Sequence, residues 1–279
     1  MSLHVKHYGH AGARDSGAPL LLIHGWGMHG GMWSLAAEQL SQRYSVMAVD
    51  LPGHGYSAGN RHKSRDAGDK AEAPAFAFGL DQIVDRLSEQ FNEPLTVCGW
   101  SLGGQVALCW AKRHPEQVRS LVLVASTPCF ARRIDWPHAM PAETLAEFGA
   151  ALQQNYAQTL RRFLALQLRG SEHERELLAA LRSVLFSHGE PDRGTLQSGL
   201  EILRDCDLRG ALKDIRQPAL VIGGKRDSLT PPQASQYLAS HLPDARLALI
   251  RGAAHAPFLS HNAEFVENVM DFLNGQKHG

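Results

Sequence analysis

Short apolar runs alternate with longer amphipathic stretches along most of the chain. The runs fall at 3–8, 20–24, 44–49, 95–99, 119–125, 219–223 and 246–250. Several carry Val, Ile and Leu on consecutive positions, the pattern of parallel strands covered on both faces. Between them, stretches at 31–42, 80–91, 102–114, 232–241 and 263–274 repeat apolar residues at helical spacing. Strand and helix in alternation predict an α/β fold with a doubly wound, mostly parallel sheet.

One stretch breaks the rhythm. From 128 to 205 the pattern is helical only, with four segments at 145–156, 158–168, 172–185 and 195–205. Their place predicts an inserted helical cap over 128–205, on a core made of 1–127 and 206–279. A second irregular piece, 58–77, is crowded with Arg61, His62, Lys63, Arg65, Asp66, Asp69, Lys70 and Glu72. Such a composition predicts an exposed, mobile loop.

A chain of 279 residues can bury a core without disulfide or metal staples. Lys and Arg together number 28, as do Asp and Glu, so no global basic field attracts nucleic acid. No apolar run reaches 18 residues, and the first twelve are polar, so neither a membrane span nor a signal region is expected. Cys98, Cys109, Cys129 and Cys206 form no CxxC pair. They read as reduced thiols of a cytoplasmic protein.

Gly99-Trp100-Ser101-Leu102-Gly103 fits G-x-S-x-G. The five-residue pattern is common by itself; its context carries the signal. A strand precedes it and a helix follows, which predicts a nucleophile elbow with Ser101 at a strained corner. Glycines on either side remove side chains that would clash there. A serine hydroxyl needs a base, and the base needs a carboxylate to orient it. The expected order is Ser, Asp, His, with the last two after late strands. Asp227 follows the run at 219–223, whereas Asp205, Asp207 and Asp214 precede it. His255 follows the last run; His261 falls at the next helix.

The oxyanion of an acyl-transfer intermediate needs N–H donors. The Leu102 amide, directly after the nucleophile, is one; the loop His24-Gly25-Trp26-Gly27 offers Trp26 N–H as the other. His24 reads as a brace for that loop. Asp50 and His54, in a Gly- and Pro-rich loop, lack the topological position of base or orienter. No phosphate loop, dinucleotide fingerprint or metal-ligand spacing is visible, so no cofactor and no metal are expected.

At these residues the chain resembles the α/β-hydrolase superfamily. Within it, the chain is most similar to the esterases of biotin synthesis that act on a pimeloyl methyl ester carried by acyl-carrier protein. The likeness rests on the motifs at 22–27, 49–53, 99–104, 126–130, 162–167, 199–203 and 253–258, and spans about 20–273. It implies a serine carboxylesterase that releases methanol from a carrier-bound acyl chain lying between core and cap. It also implies that Trp26, Trp100, Leu102 and Phe163 line the substrate channel. Arg162 and Arg175 match the family's basic cap positions for docking the acidic carrier. Two further such positions are Gln158 and Ala179 here, with Arg161, Arg169 and Arg182 nearby.

Without the family, Arg162 and Arg169 share a helix face, as do Arg175 and Arg182, each pair being seven apart. Glu172, Glu174 and Glu176 dilute this patch, so a solvated face is the competing reading. The same triad also serves short-chain esterases, thioesterases and C–C bond hydrolases, and an acyltransferase or a ligand receptor can retain it. Small esters are expected surrogate substrates; nucleic acid and membrane are not expected partners.

Overall fold

The computed structural model describes residues 2–9, 18–58 and 78–276. Most of the charged segment predicted at 58–77 therefore lies outside the described residues. Seven strands form one sheet: β1 (Val5–Tyr8), β2 (Leu20–Ile23), β3 (Val46–Val49), β4 (Leu95–Trp100), β5 (Val118–Val124), β6 (Ala219–Gly224) and β7 (Ala245–Ile250). Their spatial order is β1-β3-β2-β4-β5-β6-β7. Only β1 runs antiparallel, paired with β3 at the sheet's edge. Every residue of β2, β3, β4 and β6 is buried, which is why these strands read as unbroken apolar runs.

Helices cover both faces of this sheet. They are α1 (Ser34–Leu40), α2 (Leu80–Gln90), α3 (Leu102–Arg113), α7 (Pro232–His241) and α9 (Asn262–Gly275), with a single turn, α8 (Pro257–Ser260), before the last. The helix predicted at 31–42 is a 3₁₀ turn, Gly30–Trp33, leading into α1. Cys98, Cys109 and Cys129 are buried, and all four cysteines are free. No helix among the described residues is long and apolar enough to cross a membrane.

The stretch after β5 carries α4 (Ala142–Leu168), α5 (Glu174–Val184) and α6 (Arg193–Asp205). Asn155 interrupts α4 with φ −152° and ψ 85°. Its side chain then accepts the Gln158 N–H at 3.1 Å and caps the second half. The break at Asn155 falls just inside the first of the two segments predicted at 145–156 and 158–168, two residues before the predicted gap. The ends of the insertion meet: Cys129 pairs with Asp207, and Leu208 N–H donates to Pro128 O at 2.8 Å.

Two core loops, those after β2 and β3, bond to this helical stretch. Trp26 Nε1 donates to Leu196 O at 2.9 Å. His29 Nε2 donates to Val184 O at 2.9 Å. The Asp192 N–H donates to Gly53 O at 2.9 Å. The apolar stripe Leu160, Phe163, Leu164 and Leu168 of α4 is buried in this contact.

Candidate active site

Ser101 sits between β4 and α3 with φ 55° and ψ −116°, a backbone region that non-glycine residues avoid. Its surroundings hold it there. The Ser101 N–H continues the ladder to Val124 O at 2.9 Å, and Ser126 Oγ donates to Ser101 O at 3.0 Å. The turn leaves no room for side chains beside it. A Cβ on Gly99 would run into the Gly103 carbonyl, and one on Gly103 would meet the carbonyls of Ile23 and His24. The predicted elbow is present, and the glycines do the work that its motif implies.

Asp227 lies in the turn after β6, and His255 in the loop after β7. Two amides tie these loops: Lys225 N–H donates to Ile250 O at 3.0 Å, and Arg226 N–H to Ala253 O at 2.9 Å. The result is a 2.8 Å hydrogen bond from His255 Nδ1 to Asp227 Oδ2. Both side chains are almost fully buried. His255 Nε2 is buried too and has no partner among the described residues. With its proton on Nδ1, the ring presents a lone pair at Nε2, the state of a general base. The Trp100 indole donates to His255 O at 2.8 Å, joining the residue before Ser101 to the histidine loop. His255 N–H in turn donates to Gln167 O of α4 at 3.0 Å.

The competing residues stand elsewhere. His261 sits at the N-terminus of α9, with Nε2 3.6 Å from Glu172 and Nδ1 2.9 Å from Ser260 Oγ. Asp205 pairs with Arg204, and Asp207 with Arg209.

The loop after β2 lies against the elbow: a Cβ on Gly25 would be 3.3 Å from that of Ser101. Met28 N–H closes back on Gly25 O at 3.2 Å, with Trp26 and Gly27 at the apex of the turn. Leu102 is the first residue of α3, where the amides of the first turn lack helical partners. His24 braces this loop: Nδ1 donates to Gly25 O at 2.8 Å, and Nε2 accepts Leu51 N–H at 3.0 Å. Burial, then neighbouring His54, push its pKa down to about 3.

Trp26, Trp100, Leu102 and Phe163 are each at most 1% exposed, and Ser101 is 4% exposed. Trp26 and Phe163 meet edge to face at 4.7 Å, and Phe148 packs on Phe163 at 5.5 Å. Ser101 and these four side chains are thus shielded from solvent. A cavity of about 550 Å³ lies between α2, α3 and α6, but neither Ser101 nor His255 lines it. Arg162, Arg169, Arg175 and Arg182 are all exposed on the cap.

Sequence reasoning missed two groupings. Thr230 reaches the Asp227–His255 pair; its signal was a hydroxyl residue three positions after the carboxylate. His29, Asp50 and His188 also converge, with candidate metal-ligand atoms within 4.8 Å of one another. The two imidazoles stack at 4.1 Å and 28°, so their in-plane lone pairs do not aim at one point. His29 also has both nitrogens bonded, to Gly31 N–H and Val184 O.

A family model described as alpha/beta hydrolase fold matches residues 18–262. A protein of Nitrosomonas europaea named pimeloyl-acyl-carrier-protein methyl ester esterase is 44% identical over 95% of this chain and 97% of its own. A namesake from Chromobacterium violaceum is 43% identical over 93% and 96%. Among solved structures, an esterase from Exiguobacterium antarcticum superposes with a TM-score of 0.81. It is 22% identical and covers 98% of this chain and 95% of its own, a likeness of fold.

Proposed function

The chain belongs to the alpha/beta hydrolase family, and within it to the pimeloyl-acyl-carrier-protein methyl ester esterases, and we propose that it hydrolyses that methyl ester in biotin synthesis. The observation that carries the chemistry is the buried His255, bonded to Asp227 through Nδ1 and free at Nε2, on the loop tied to the Ser101 elbow.

In this reading Ser101 Oγ attacks the ester carbonyl while His255 Nε2 takes its proton. The amides of Leu102 and Trp26 hold the oxyanion. The tetrahedral intermediate collapses, His255 returns the proton, and methanol leaves an acyl-enzyme on Ser101. Water, deprotonated by the same nitrogen, then releases the free acid. Asp227 keeps the imidazole in its Nδ1–H form and stabilises the cation. Trp26, Trp100, Leu102 and Phe163 would meet the acyl chain once the cap opens. Arg162, Arg169, Arg175 and Arg182 are the proposed contacts to the acidic carrier. The four free thiols suit a reducing, cytoplasmic setting.

The test compares turnover of the carrier-bound pimeloyl methyl ester with that of simple esters and thioesters. It adds rescue of a biotin-requiring strain lacking such an esterase. Preference for the carrier-bound ester, with rescue by the native chain and none by Ser101→Ala, supports the proposal. Preference for a thioester, transfer to an acceptor in place of free acid, or no turnover at all would overturn it.

A further inference from the structure

The Asp227 carboxylate is saturated with hydrogen bonds, and three of them involve one neighbour or pass beside it. Oδ1 accepts Leu229 N–H at 2.8 Å and Thr230 N–H at 2.9 Å. Oδ2 accepts the Thr230 hydroxyl at 2.7 Å and His255 Nδ1–H at 2.8 Å. Thr230 Oγ1 is also 3.3 Å from His255 Nδ1. Thr230 is 2% exposed, so solvent offers little competition for these contacts. We propose that Thr230 is a positioning residue for this pair, its hydroxyl fixing the Asp227 carboxylate and, through it, the ring of His255. The inference rests on the assignment of Ser101, His255 and Asp227 given above.

The two amides anchor only Oδ1. A carboxylate held by one oxygen can still swing the other, and Oδ2 is the one that meets the imidazole. The hydroxyl locks that second oxygen. A threonine side chain is stiff at χ1 because it branches at Cβ, so the group is set in place before the substrate arrives. The hydroxyl has one proton, and it is committed to Oδ2. Its oxygen therefore turns a lone pair toward His255 Nδ1, where only an N–H is tolerated. Both neighbours of Nδ1 are then acceptors, which confines the proton to Nδ1 and leaves Nε2 free for Ser101.

Valine at this position keeps the branched shape and the backbone amide and removes only the hydroxyl. Serine keeps the hydroxyl; alanine keeps neither and relieves any crowding that valine creates. Thr230→Val, Thr230→Ala, Thr230→Ser and Ser101→Ala are compared on a small ester, whose turnover is independent of carrier docking. Thr230→Val and Thr230→Ala should lower kcat by about 10- to 100-fold with KM unchanged, the worth of a hydrogen bond to a charged group. Thr230→Ser should stay near the native rate. The proton resonance of His255 Nδ1–H should move in the first two variants and not in the serine one. Native kcat without the hydroxyl, or an equal loss in serine and valine, overturns the role given to Thr230. Turnover by Ser101→Ala overturns the assignment of the site itself, so the two failures are told apart.

Discussion

His188 of the cap places Nδ1 3.1 Å from Oδ2 of Asp50, a carboxylate fully buried at the end of β3. The other donors to Asp50 come from the core: Gly30 N–H to Oδ1 at 2.6 Å and Tyr56 N–H to Oδ2 at 2.9 Å. Burial works to raise its pKa. Nearby His24 and these donated amides outweigh it and hold the carboxyl below its usual range. His188 is sandwiched between Tyr56, stacked at 4.3 Å, and His29, stacked at 4.1 Å. Cap and core thus share one buried charge close to the loop that flanks Ser101.

A double-mutant cycle tests that link. His188→Ala and Asp50→Asn should each destabilise the fold by about 1–3 kcal/mol, as expected when a buried polar group loses a partner. Their effects should couple by about 0.5–3 kcal/mol in denaturant unfolding, the range for residues in direct contact. Additive losses would mean that the contact contributes nothing of its own.

Acid should weaken the fold through two other histidines. Burial pushes His24 down to about 3 and His54 down to about 4. Both are neutral in the folded protein at pH 5, while in the unfolded chain they take up protons below about 6.5. The unfolded state therefore binds more protons, and stability falls as pH drops from about 6.5 toward about 4. Each histidine contributes a slope of about 1.4 kcal/mol per pH unit where the difference is a full proton. Urea midpoints at pH 7, 6 and 5 measure this slope. His54→Gln should reduce it by about one proton; an unchanged slope would show that His54 is not the group responsible.

The dyad makes a kinetic prediction. Asp227→Asn should lower kcat by up to about 10⁴-fold, because an amide at this place favours the wrong imidazole tautomer. His255→Ala should be at least as damaging, while His261→Ala, which touches Glu172 and Ser260, should leave kcat near native. A fluorophosphonate should label Ser101 alone, as peptide mapping by mass spectrometry can check. Loss of activity confined to the His261 variant would reassign the base.

The sheet and the elbow were legible because their signals are local. Ala219–Gly224 and Leu95–Trp100 read as buried strands from consecutive apolar residues, and Gly99, Ser101 and Gly103 report their own crowding. Asp227 and His255 followed from topology, since both come just after strands. The contacts between distant segments were hidden. His188 and Asp50 are 138 residues apart, and nothing in either neighbourhood announces the other. Thr230 looked like any polar residue of a turn until the carboxylate's four donors could be counted. The single turn Pro257–Ser260 was too short to show a period.

The cap arginines give the last prediction. Arg162 and Arg169 lie on the second half of α4 and at its end; Arg175 and Arg182 lie on α5, which packs against α4. All four are exposed, so their charges reach solvent and meet a partner only when one docks. An acidic carrier would feel this patch as a steering field, which acts on association more than on chemistry. Changing all four to Ala should raise KM for the carrier-bound ester and leave kcat nearly unaltered. The difference from native should shrink as salt rises, because exposed charges are screened over about 8 Å at physiological ionic strength. A small ester has no carrier to dock, so its turnover should not change. Loss on both substrates would indicate damaged packing, since Phe163 and Leu164, next to Arg162 on α4, are buried. Equal kinetics for the carrier-bound ester at low salt, before and after the four changes, would leave these arginines as a solvated helix face and move carrier recognition elsewhere on the surface.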